Sequence, residues 1–173
     1  MKLTIEQLLN NIEKYSAGTK IELSGTIYTA RDQAHKRLVE LIQQKKQTPI
    51  NLENACIYYC GPCPNSPKQI IGSCGPTTSS RMDVYTPAVL NNGVKILIGK
   101  GKRSINVVDS IKENKAIYLL ATGGVGALLA KKVKSFELVA FEDLGPEAIY
   151  KLEVKDFPLI VGIDSNGNSF FNL

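Results

Sequence analysis

All four cysteines of the chain lie between residues 56 and 74, in the stretch CIYYCGPCPNSPKQIIGSC. The spacing Cys56-x3-Cys60-x2-Cys63 is typical of a radical-type iron–sulfur loop, and the inner CGPC is the dithiol motif of thioredoxins. The same cysteines could instead bind zinc, or be small buried or loop thiols that take part in no chemistry. The residues that flank the motif help to choose among these alternatives.

Those flanking residues disfavour the three chemical alternatives. A thioredoxin-type helix would follow CGPC directly, and Pro64 could begin one, but Pro67 and the residue before it resist continuing it. A radical-type cluster loop needs a longer, barrel-like chain, and Cys56 would have to bend out of a predicted strand. Cys74 is distant from the other cysteines, and no histidine pairs with it to complete a zinc site. We therefore expect the cysteines to be unreactive.

A second group of residues combines hydroxyl groups with positive charge. The segment GPTTSSR after Cys74 could cradle an anion or form a capped turn, and it lacks the glycine–lysine–hydroxyl ending of a Walker-type phosphate loop. Arg31 begins a predicted helix, where its guanidinium group and free backbone N–H groups can meet a carboxylate together. Lys100 follows a predicted strand, between glycines that allow a ligand to approach the backbone closely.

The elements that would position these residues alternate between strands and helices. A helix is predicted in TIEQLLNNIEKY, where Thr4 and Gln7 form a capping box. A strand in KIELSGTIYTA leads into a helix in ARDQAHKRLVELIQQ, which Thr29 can cap and which carries Asp32 in its first turn. The later predicted strands are ACIYY, KILIG, AIYLLAT, ELVAF, PLIVGID and SFFNL, and the later predicted helices are SINVVDSIKEN, VGALLAKKV and one that starts near Gly145. This alternation predicts an α/β fold, with ligands collected by the loops that follow strands.

Length and composition narrow the function classes. A chain of 173 residues with 43% hydrophobic and 21% charged residues predicts one domain, over residues 1–173. The net charge of +5 is scattered and there is no tryptophan, so we expect no nucleic-acid partner, although the charge could favour a small anionic substrate. The sequence contains no membrane-spanning run and begins without a signal peptide, so we expect a cytoplasmic protein with reduced cysteines.

Longer segments resemble one known family. GPTTSSRMDVYTP, with SGTIYTARDQAHKR upstream and IGKG downstream, is similar to the β subunit of class I fumarate hydratases. That family includes the β subunit of L(+)-tartrate dehydratase and the C-terminal part of single-chain iron–sulfur fumarases. The segments ATGGVGALLAKKVKS and FEDLGPEAIYKLEVKDFPLIV also match, so the resemblance covers nearly the whole chain in order. In the family, the loop that matches CGPC has the form Tyr-x-Gly-Pro-x-Pro, and its variable positions need not be cysteine.

The resemblance implies a single swivelling β/β/α domain, related to the mobile domain of aconitase-like enzymes. It also implies that the catalytic 4Fe–4S cluster is held by three cysteines of a separate α subunit, or of an N-terminal domain. This chain would then bind no cluster alone. One iron of the cluster would bind the substrate as a Lewis acid. A symmetric α2β2 assembly of the α subunit with this chain is the arrangement that the resemblance suggests.

The same resemblance assigns roles to individual residues. Arg31 corresponds to the substrate-binding arginine, and Arg81 to a second clamp for a carboxylate. Thr77 corresponds to the threonine beside the carbon that gains or loses a proton, and its action as the general base is a hypothesis, because a threonine hydroxyl is a weak base. Lys100 corresponds to the substrate lysine, with Lys102 as the alternative two positions away.

Other residues are expected to support these four. Asp32 and Asp83 would orient the arginines, while Thr78 and Ser79 would share the positioning role of the threonine before them. His35, the only histidine, would be structural or supporting, because the catalytic histidine of the family belongs to the partner. A group of glycines would either bring a helix N-terminus close to the site or pack closely: Gly123, Gly124 and Gly126.

Together these features predict the β subunit of a hydro-lyase that hydrates fumarate to (S)-malate. The alternative within the family is L(+)-tartrate dehydratase, whose substrate is a more hydroxylated dianion. Two alternatives come from other classes: a module that binds a dicarboxylate without catalysis, and an autonomous redox protein that uses Cys60 and Cys63.

Overall fold

The structure is a computed structural model that describes residues 1–64, 67, 69–121 and 126–172. The strands within these residues are β1 (Lys2–Thr4), β2 (Lys20–Thr29), β3 (Cys56–Tyr58), β4 (Ile96–Gly99), β5 (Ile117–Leu120), β6 (Val133–Ala140) and β7 (Ile149–Ile163). The α-helices are α1 (Ile5–Asn10), α2 (Asp32–Gln43), α3 (Thr86–Asn91), α4 (Ile105–Glu113) and α5 (Gly126–Ala130). Short 3-10 helices cover Ile12–Lys14, Ser79–Met82, Glu142–Glu147 and Phe170–Asn172.

The predicted capping box at the start of α1 is confirmed. The backbone N–H of Gln7 donates to Thr4 Oγ1 at 3.1 Å, and the backbone N–H of Thr4 donates to Gln7 Oε1 at 2.9 Å. Two backbone donors at the helix start are thereby satisfied without tertiary contacts, which is why the sequence alone could locate this helix end.

The sheet has a parallel centre that an antiparallel strand closes. Strands β2, β3, β4 and β5 pair in that order, all parallel. Strand β7 pairs antiparallel with both β2 and β5, so these five strands form a closed ring of pairings. Strand β1 adds to β2 in parallel, and β6 adds to β7 in antiparallel orientation.

Both faces of the sheet are covered by apolar packing. In β4, Ile96 and Ile98 belong to one buried cluster and Leu97 to the other, as the alternation of a strand requires. The first cluster includes Leu8 of α1 and Leu129 of α5. The second lies under α2, α3 and α4 and includes the following helical side chains: Ala34, Leu38, Val89, Leu90, Val107 and Ile111. The predicted α/β class is therefore confirmed.

The helix predicted from near Gly145 is wrong. A 3-10 segment covers Glu142–Glu147 and is interrupted at Gly145, whose φ and ψ are 58° and −123°. The chain then enters β7, a 15-residue strand whose last six residues are PLIVGI of the predicted strand PLIVGID. The cause is the alternation of buried residues such as Leu152 and Val154, which pair along β2 and β6 and override the local helical preference.

Three other local predictions need correction. Thr29 does not cap α2, because its Oγ1 accepts a hydrogen bond from the backbone N–H of Tyr150 at 3.1 Å. Within the predicted strand SFFNL, Phe170–Asn172 form a 3-10 turn, and Leu173 lies outside the described residues. The helix predicted in VGALLAKKV ends at Ala130, and the last residue of that segment, Val133, begins β6. Within the part of the chain that is described, every helix is too short or too polar to span a bilayer.

Candidate active site

The predicted site residues lie at one edge of the sheet. Strands β2, β3 and β4 are parallel, so their carboxyl ends meet at the same edge. Arg31 follows β2, the loop that contains Thr77 and Arg81 follows β3, and Lys100 follows β4 directly. The carboxyl edge of parallel strands is where ligands usually bind in open α/β sheets, and this sheet keeps that arrangement in its parallel part.

Arg31 is the N-cap residue of α2, and its guanidinium group is held from one side. Its Nε lies 3.4 Å from Glu147 Oε1 and 3.9 Å from Asp32 Oδ1. Its two terminal nitrogen atoms make no hydrogen bond with any residue that is described, and the side chain is 25% exposed. Arg31 can therefore present two terminal N–H groups to a carboxylate while its Nε faces acidic groups.

Asp32 and Glu147 form a close acidic pair beside Arg31. Asp32 Oδ1 and Glu147 Oε1 are buried, and neither has a hydrogen-bond partner among the described residues. Burial raises the pKa of Glu147, the nearby Asp32 raises it further, and Arg31 opposes both effects. A proton on Glu147 would satisfy both oxygen atoms, because the protonated carboxyl group can donate to Asp32. A single negative charge would then face Arg31.

His35 lies behind Arg31 and is fully buried. Its Nδ1 lies 2.8 Å from the carbonyl oxygen of Arg31, and its ring contacts Tyr59 edge-on, with centroids 5.3 Å apart. Burial lowers the pKa of His35 to about 4, and the hydrogen bond to Arg31 only partly opposes this effect. The imidazole is therefore neutral at pH 7, and its Nδ1–H donates to the carbonyl group that begins α2. This position makes His35 a support for Arg31.

The loop that carries Thr77 is attached to the strand ends through its backbone. The N–H of Thr77 donates to the carbonyl oxygen of Tyr59 at 2.8 Å, and Ser79 Oγ donates to the carbonyl oxygen of Thr77 at 3.1 Å. Ser79 Oγ also accepts the N–H of Lys100 at 2.9 Å. Ser79 is only 1% exposed, so it braces the loop, whereas Thr78 is exposed. The hydroxyl group of Thr77 has no hydrogen bond to the described residues.

Two exposed cations face solvent from this edge. Arg81 lies on the 3-10 helix Ser79–Met82, and Lys100 follows β4. Neither side chain has a hydrogen bond or ion pair with another residue in the described ranges. The amine of Lys102 instead lies 5.8 Å from the centroid of the Phe171 ring. Of the two candidate lysines, Lys100 is thus the one without such a contact.

Asp83 does not pair with Arg81, contrary to the expectation that it would orient one of the predicted arginines. Its Oδ1 accepts a hydrogen bond from Arg103 Nη1 at 2.7 Å. Sequence reasoning did not single out Arg103, because nothing in GKGKRS separates a buried arginine from a surface one. It also missed Glu147, which lies in a segment that was used to predict a helix and to support the family resemblance, but not to predict a site residue.

The cysteines have the environment of structural thiols. Cys56, Cys60 and Cys74 are buried, Cys63 is exposed, and all four are free. Burial raises the pKa of Cys56 and Cys60 far above the usual range and raises that of Cys74 to about 12. These thiols stay protonated at pH 7, whereas metal ligands and nucleophiles are thiolates.

The donor set of the chain does not fit an iron–sulfur cluster. The part of the chain that the structure describes contains no group of three or more histidine, cysteine, aspartate or glutamate side chains that could hold a metal ion. Three of the four thiols are also buried and protonated, whereas the cysteine ligands of an iron–sulfur cluster are thiolates.

The predicted glycine group is described only in part. Gly123 and Gly124 lie outside the described residues. Gly126 begins α5, and a Cβ there would lie 2.3 Å from Ser73 Oγ and 2.9 Å from the backbone nitrogen of Gly75. Close packing of α5 against the loop before the site therefore requires glycine at this position.

Comparison with known proteins agrees with the resemblance seen in the sequence. A family model described as Fumarase C-terminus matches residues 1–173. The chain is 40% identical to the anaerobic class I fumarate hydratase of Escherichia coli (strain K12), over 96% of this chain and 31% of that protein. It is 37% identical to the putative L(+)-tartrate dehydratase subunit beta of Methanocaldococcus jannaschii, over 99% of this chain and 91% of that protein.

A second β subunit, that of the L(+)-tartrate dehydratase of Escherichia coli (strain K12), is 35% identical over 96% of this chain and 84% of its own length. The chain spans only 30–31% of the length of the Escherichia coli and Leishmania major fumarate hydratases that it matches. Because the family model covers residues 1–173 and two relatives match over most of their own length, the chain belongs to the Fumarase C-terminus family.

Proposed function

We propose that this chain is the β subunit of a two-subunit hydro-lyase that interconverts fumarate and (S)-malate in the cytoplasm. One observation carries the proposal: Arg31, Arg81 and Lys100 lie at one edge of the sheet, and their terminal nitrogen atoms have no hydrogen-bond partner among the described residues. Cations held in this way suit a small dianion. The names of the relatives, fumarate hydratase and L(+)-tartrate dehydratase subunit beta, support a hydro-lyase.

The chemistry assigns complementary tasks to these side chains. Fumarate carries a carboxylate at each end, so two separate cationic groups are needed to hold it in one orientation. Arg81 binds one carboxylate through its terminal N–H groups, and Arg31 and Lys100 bind the other. The water molecule divides in the reaction: its hydroxyl group is added to one carbon of the double bond and a proton to the other.

Thr77 is proposed to act at the carbon that gains or loses the proton. Its backbone is fixed by the hydrogen bond to Tyr59, and its hydroxyl group remains free to contact a ligand. Hydrogen bonding to the substrate positions the reacting carbon, which lowers the entropic part of the barrier. Transfer of the proton itself through Thr77 requires activation of the hydroxyl group by a further base.

The second half of the active site is proposed to come from an α subunit. A 4Fe–4S cluster held by that subunit would supply a Lewis acid for the hydroxyl group that is added or removed. This division is supported by the protonated, buried thiols of this chain and by the beta-subunit relatives, whose lengths it matches over 91% and 84%. An α2β2 assembly and a swivelling motion of this domain are part of the same proposal.

The second candidate is L(+)-tartrate dehydratase, favoured by the two beta-subunit relatives. The same cations would bind the two carboxylates of tartrate, and malate and tartrate differ only in the number of hydroxyl groups on the two carbons between their carboxylates. A module that binds a dicarboxylate without catalysis is a third candidate. The cations alone would explain binding, but the free hydroxyl group of Thr77 would then have no role.

The test is an anaerobic pull-down of the tagged chain from its native cells, followed by assays of the eluate. Iron, acid-labile sulfide, fumarate hydration and tartrate dehydration would be measured together. A brown complex with a second polypeptide and activity on fumarate is the expected result, and activity on tartrate alone would favour the second candidate. A colourless chain without a partner, which binds fumarate but converts neither substrate, would support the binding module.

A further inference from the structure

Arg103 is buried at the point where two of the proposed substrate-binding segments meet. Its side chain is 2% exposed, and its Nη1 donates to Asp83 Oδ1 at 2.7 Å. Its Nη2 donates to the carbonyl oxygen of Lys100 at 3.2 Å, and the centre of the guanidinium group lies 5.2 Å from the centroid of the Tyr118 ring. A charge so fully removed from water is retained in a protein when it is paired and hydrogen-bonded.

The same contacts connect the backbone of Lys100 to the helix that carries Arg81. Asp83 follows that 3-10 helix directly, and its Oδ2 accepts the backbone N–H of Ser104 at 2.9 Å. The N–H of Lys100 donates to Ser79 Oγ at 2.9 Å, and its carbonyl oxygen accepts from Arg103. Both backbone groups of Lys100 are therefore tied to the segment that carries Arg81.

These contacts also explain why an arginine is needed. The guanidinium group bonds in two directions at once, to a carboxylate and to a carbonyl oxygen, and its flat face lies over Tyr118. A lysine amine could satisfy one of these partners well but could not keep all three contacts. The surface arginine Arg37 differs, because its side chain is 37% exposed and bonds only to the exposed Asp143, while its guanidinium group lies 5.3 Å from the centroid of the Phe141 ring.

We propose that Arg103 is a positioning residue that fixes the spacing between Lys100 and Arg81, and thereby the length of dicarboxylate that the site accepts. The inference rests on the proposed function, because it assumes that these two cations bind substrate. The two carboxylates of a four-carbon dianion lie a fixed distance apart. Two cations held at the matching distance bind this dianion better than a longer one. Loss of the Arg103 contacts would lower both the reaction rate and the preference for four-carbon over longer dicarboxylates.

The test compares Arg103→Lys with Arg37→Lys, each in the assembled, cluster-loaded complex. We expect Arg103→Lys to lower kcat/KM for the preferred substrate by on the order of 100-fold, as a displacement of about 1 Å would do. Succinate and glutarate, inert dianions of four and five carbons, would be compared as competitive inhibitors. The preference for succinate in the wild-type complex should shrink in Arg103→Lys and persist in Arg37→Lys.

A second variant separates positioning from folding. Arg103→Ala removes the guanidinium group, and millimolar guanidinium ions should restore part of the lost activity by occupying the same contacts. Hydrogen exchange of the full chain should accelerate in residues 99–104, where the N–H groups of Lys100 and Ser104 are bonded, and not across the sheet. Exchange that accelerates throughout the chain would make Arg103 a general stabilising residue and overturn the inference.

The outcomes distinguish this inference from the proposed function. A wild-type complex that is inactive on both fumarate and tartrate contradicts the proposed function, and the exchange measurement still tests the connection that Arg103 makes. An active wild-type complex whose Arg103→Lys variant keeps its kcat/KM and its preference for succinate overturns the inference alone.

Discussion

The Arg31 side chain packs directly against the backbone of Gly61, where there is no room for a Cβ atom. A Cβ added to Gly61 would stand 2.7 Å from Arg31 Cδ and 3.1 Å from the carbonyl oxygen of Pro146. Both distances are shorter than an ordinary contact between such atoms. The loop after β3 thus leaves room for the Arg31 side chain only because residue 61 has no side chain of its own.

The variant Gly61→Ala should therefore impair substrate binding without unfolding the protein. The added methyl group would push the aliphatic part of Arg31 aside, which moves its terminal nitrogen atoms from the position that meets a carboxylate. We expect KM for the substrate to rise by roughly tenfold or more, because a displaced charged hydrogen bond costs about 1.5–3 kcal/mol. Steady-state kinetics of the assembled complex would measure the change.

A matched control is Gly75→Ala, in the same long loop. A Cβ on Gly75 would lie 3.4 Å from its nearest atom, Gly126 Cα, so the same substitution should be tolerated far better. Equal effects of the two substitutions would argue that the loop, and not Arg31, is sensitive to added bulk.

Stability should fall on acidification because of His35. The pKa of His35 is about 4 in the folded chain and about 6.5 when unfolded, so between these values the unfolded chain binds more protons. The free energy of unfolding therefore decreases as pH falls from 6.5 towards 4, by about 1.4 kcal/mol per pH unit from this group. Above pH 6.5 both states are neutral at this residue, and it contributes no slope.

Urea unfolding of the isolated chain at several pH values would measure this slope, with His35→Asn as the comparison. The asparagine side chain can donate to the Arg31 carbonyl oxygen but does not titrate, so the slope due to His35 should disappear. Since His35 is the only histidine, NMR of its imidazole should also show a neutral ring at pH 6. A ring that is protonated at pH 6 would contradict the buried, neutral assignment.

The CGPC motif should be dispensable for activity. Burial raises the pKa of Cys60, so its thiol is not poised for dithiol exchange, although Cys63 is exposed. The double variant Cys60→Ala/Cys63→Ser should keep most of the kcat/KM of the complex, with Ala chosen at the buried position to avoid an unpaired hydroxyl group. Activity that is lost in this variant, or that requires a reversible disulfide, would favour the autonomous redox protein.

Local signals in the sequence were sufficient for those parts of the fold that local interactions determine. The capping box of Thr4 and Gln7 and the alternation along β2 predicted both elements, because each pattern depends on residues that are close in the chain. The edge that collects Arg31 and Lys100 could also be predicted, because parallel strands bring the loops that follow them together.

Non-local contacts account for the parts that the sequence did not predict. The length of β7 depends on pairing with β2, β5 and β6, which no local window contains. Glu147 reaches Arg31 only because β7 runs antiparallel to β2 and returns the preceding turn to the end of that strand. Arg103 was missed for a related reason: its burial follows from the meeting of two loops that are separated in sequence.

The proposal that this chain supplies half of a shared active site is tested most directly by the variant Arg81→Ala in the complex with the α subunit. Arg81 is exposed at the carboxyl edge of the parallel strands and makes no hydrogen bond or ion pair with the other described residues, so its loss should leave folding and assembly intact. Removing one charged partner of the substrate should lower kcat/KM by roughly 100-fold or more. Arg37→Ala, at a surface ion pair, is the control and should change it little.

The predicted result is a fully assembled, iron-containing Arg81→Ala complex with a severe loss of activity on the preferred substrate. A variant complex that assembles normally and keeps wild-type kcat/KM would contradict the account, because the carboxylate would then be bound elsewhere. Failure of the variant to assemble would equally contradict it, since Arg81 would then belong to the subunit interface.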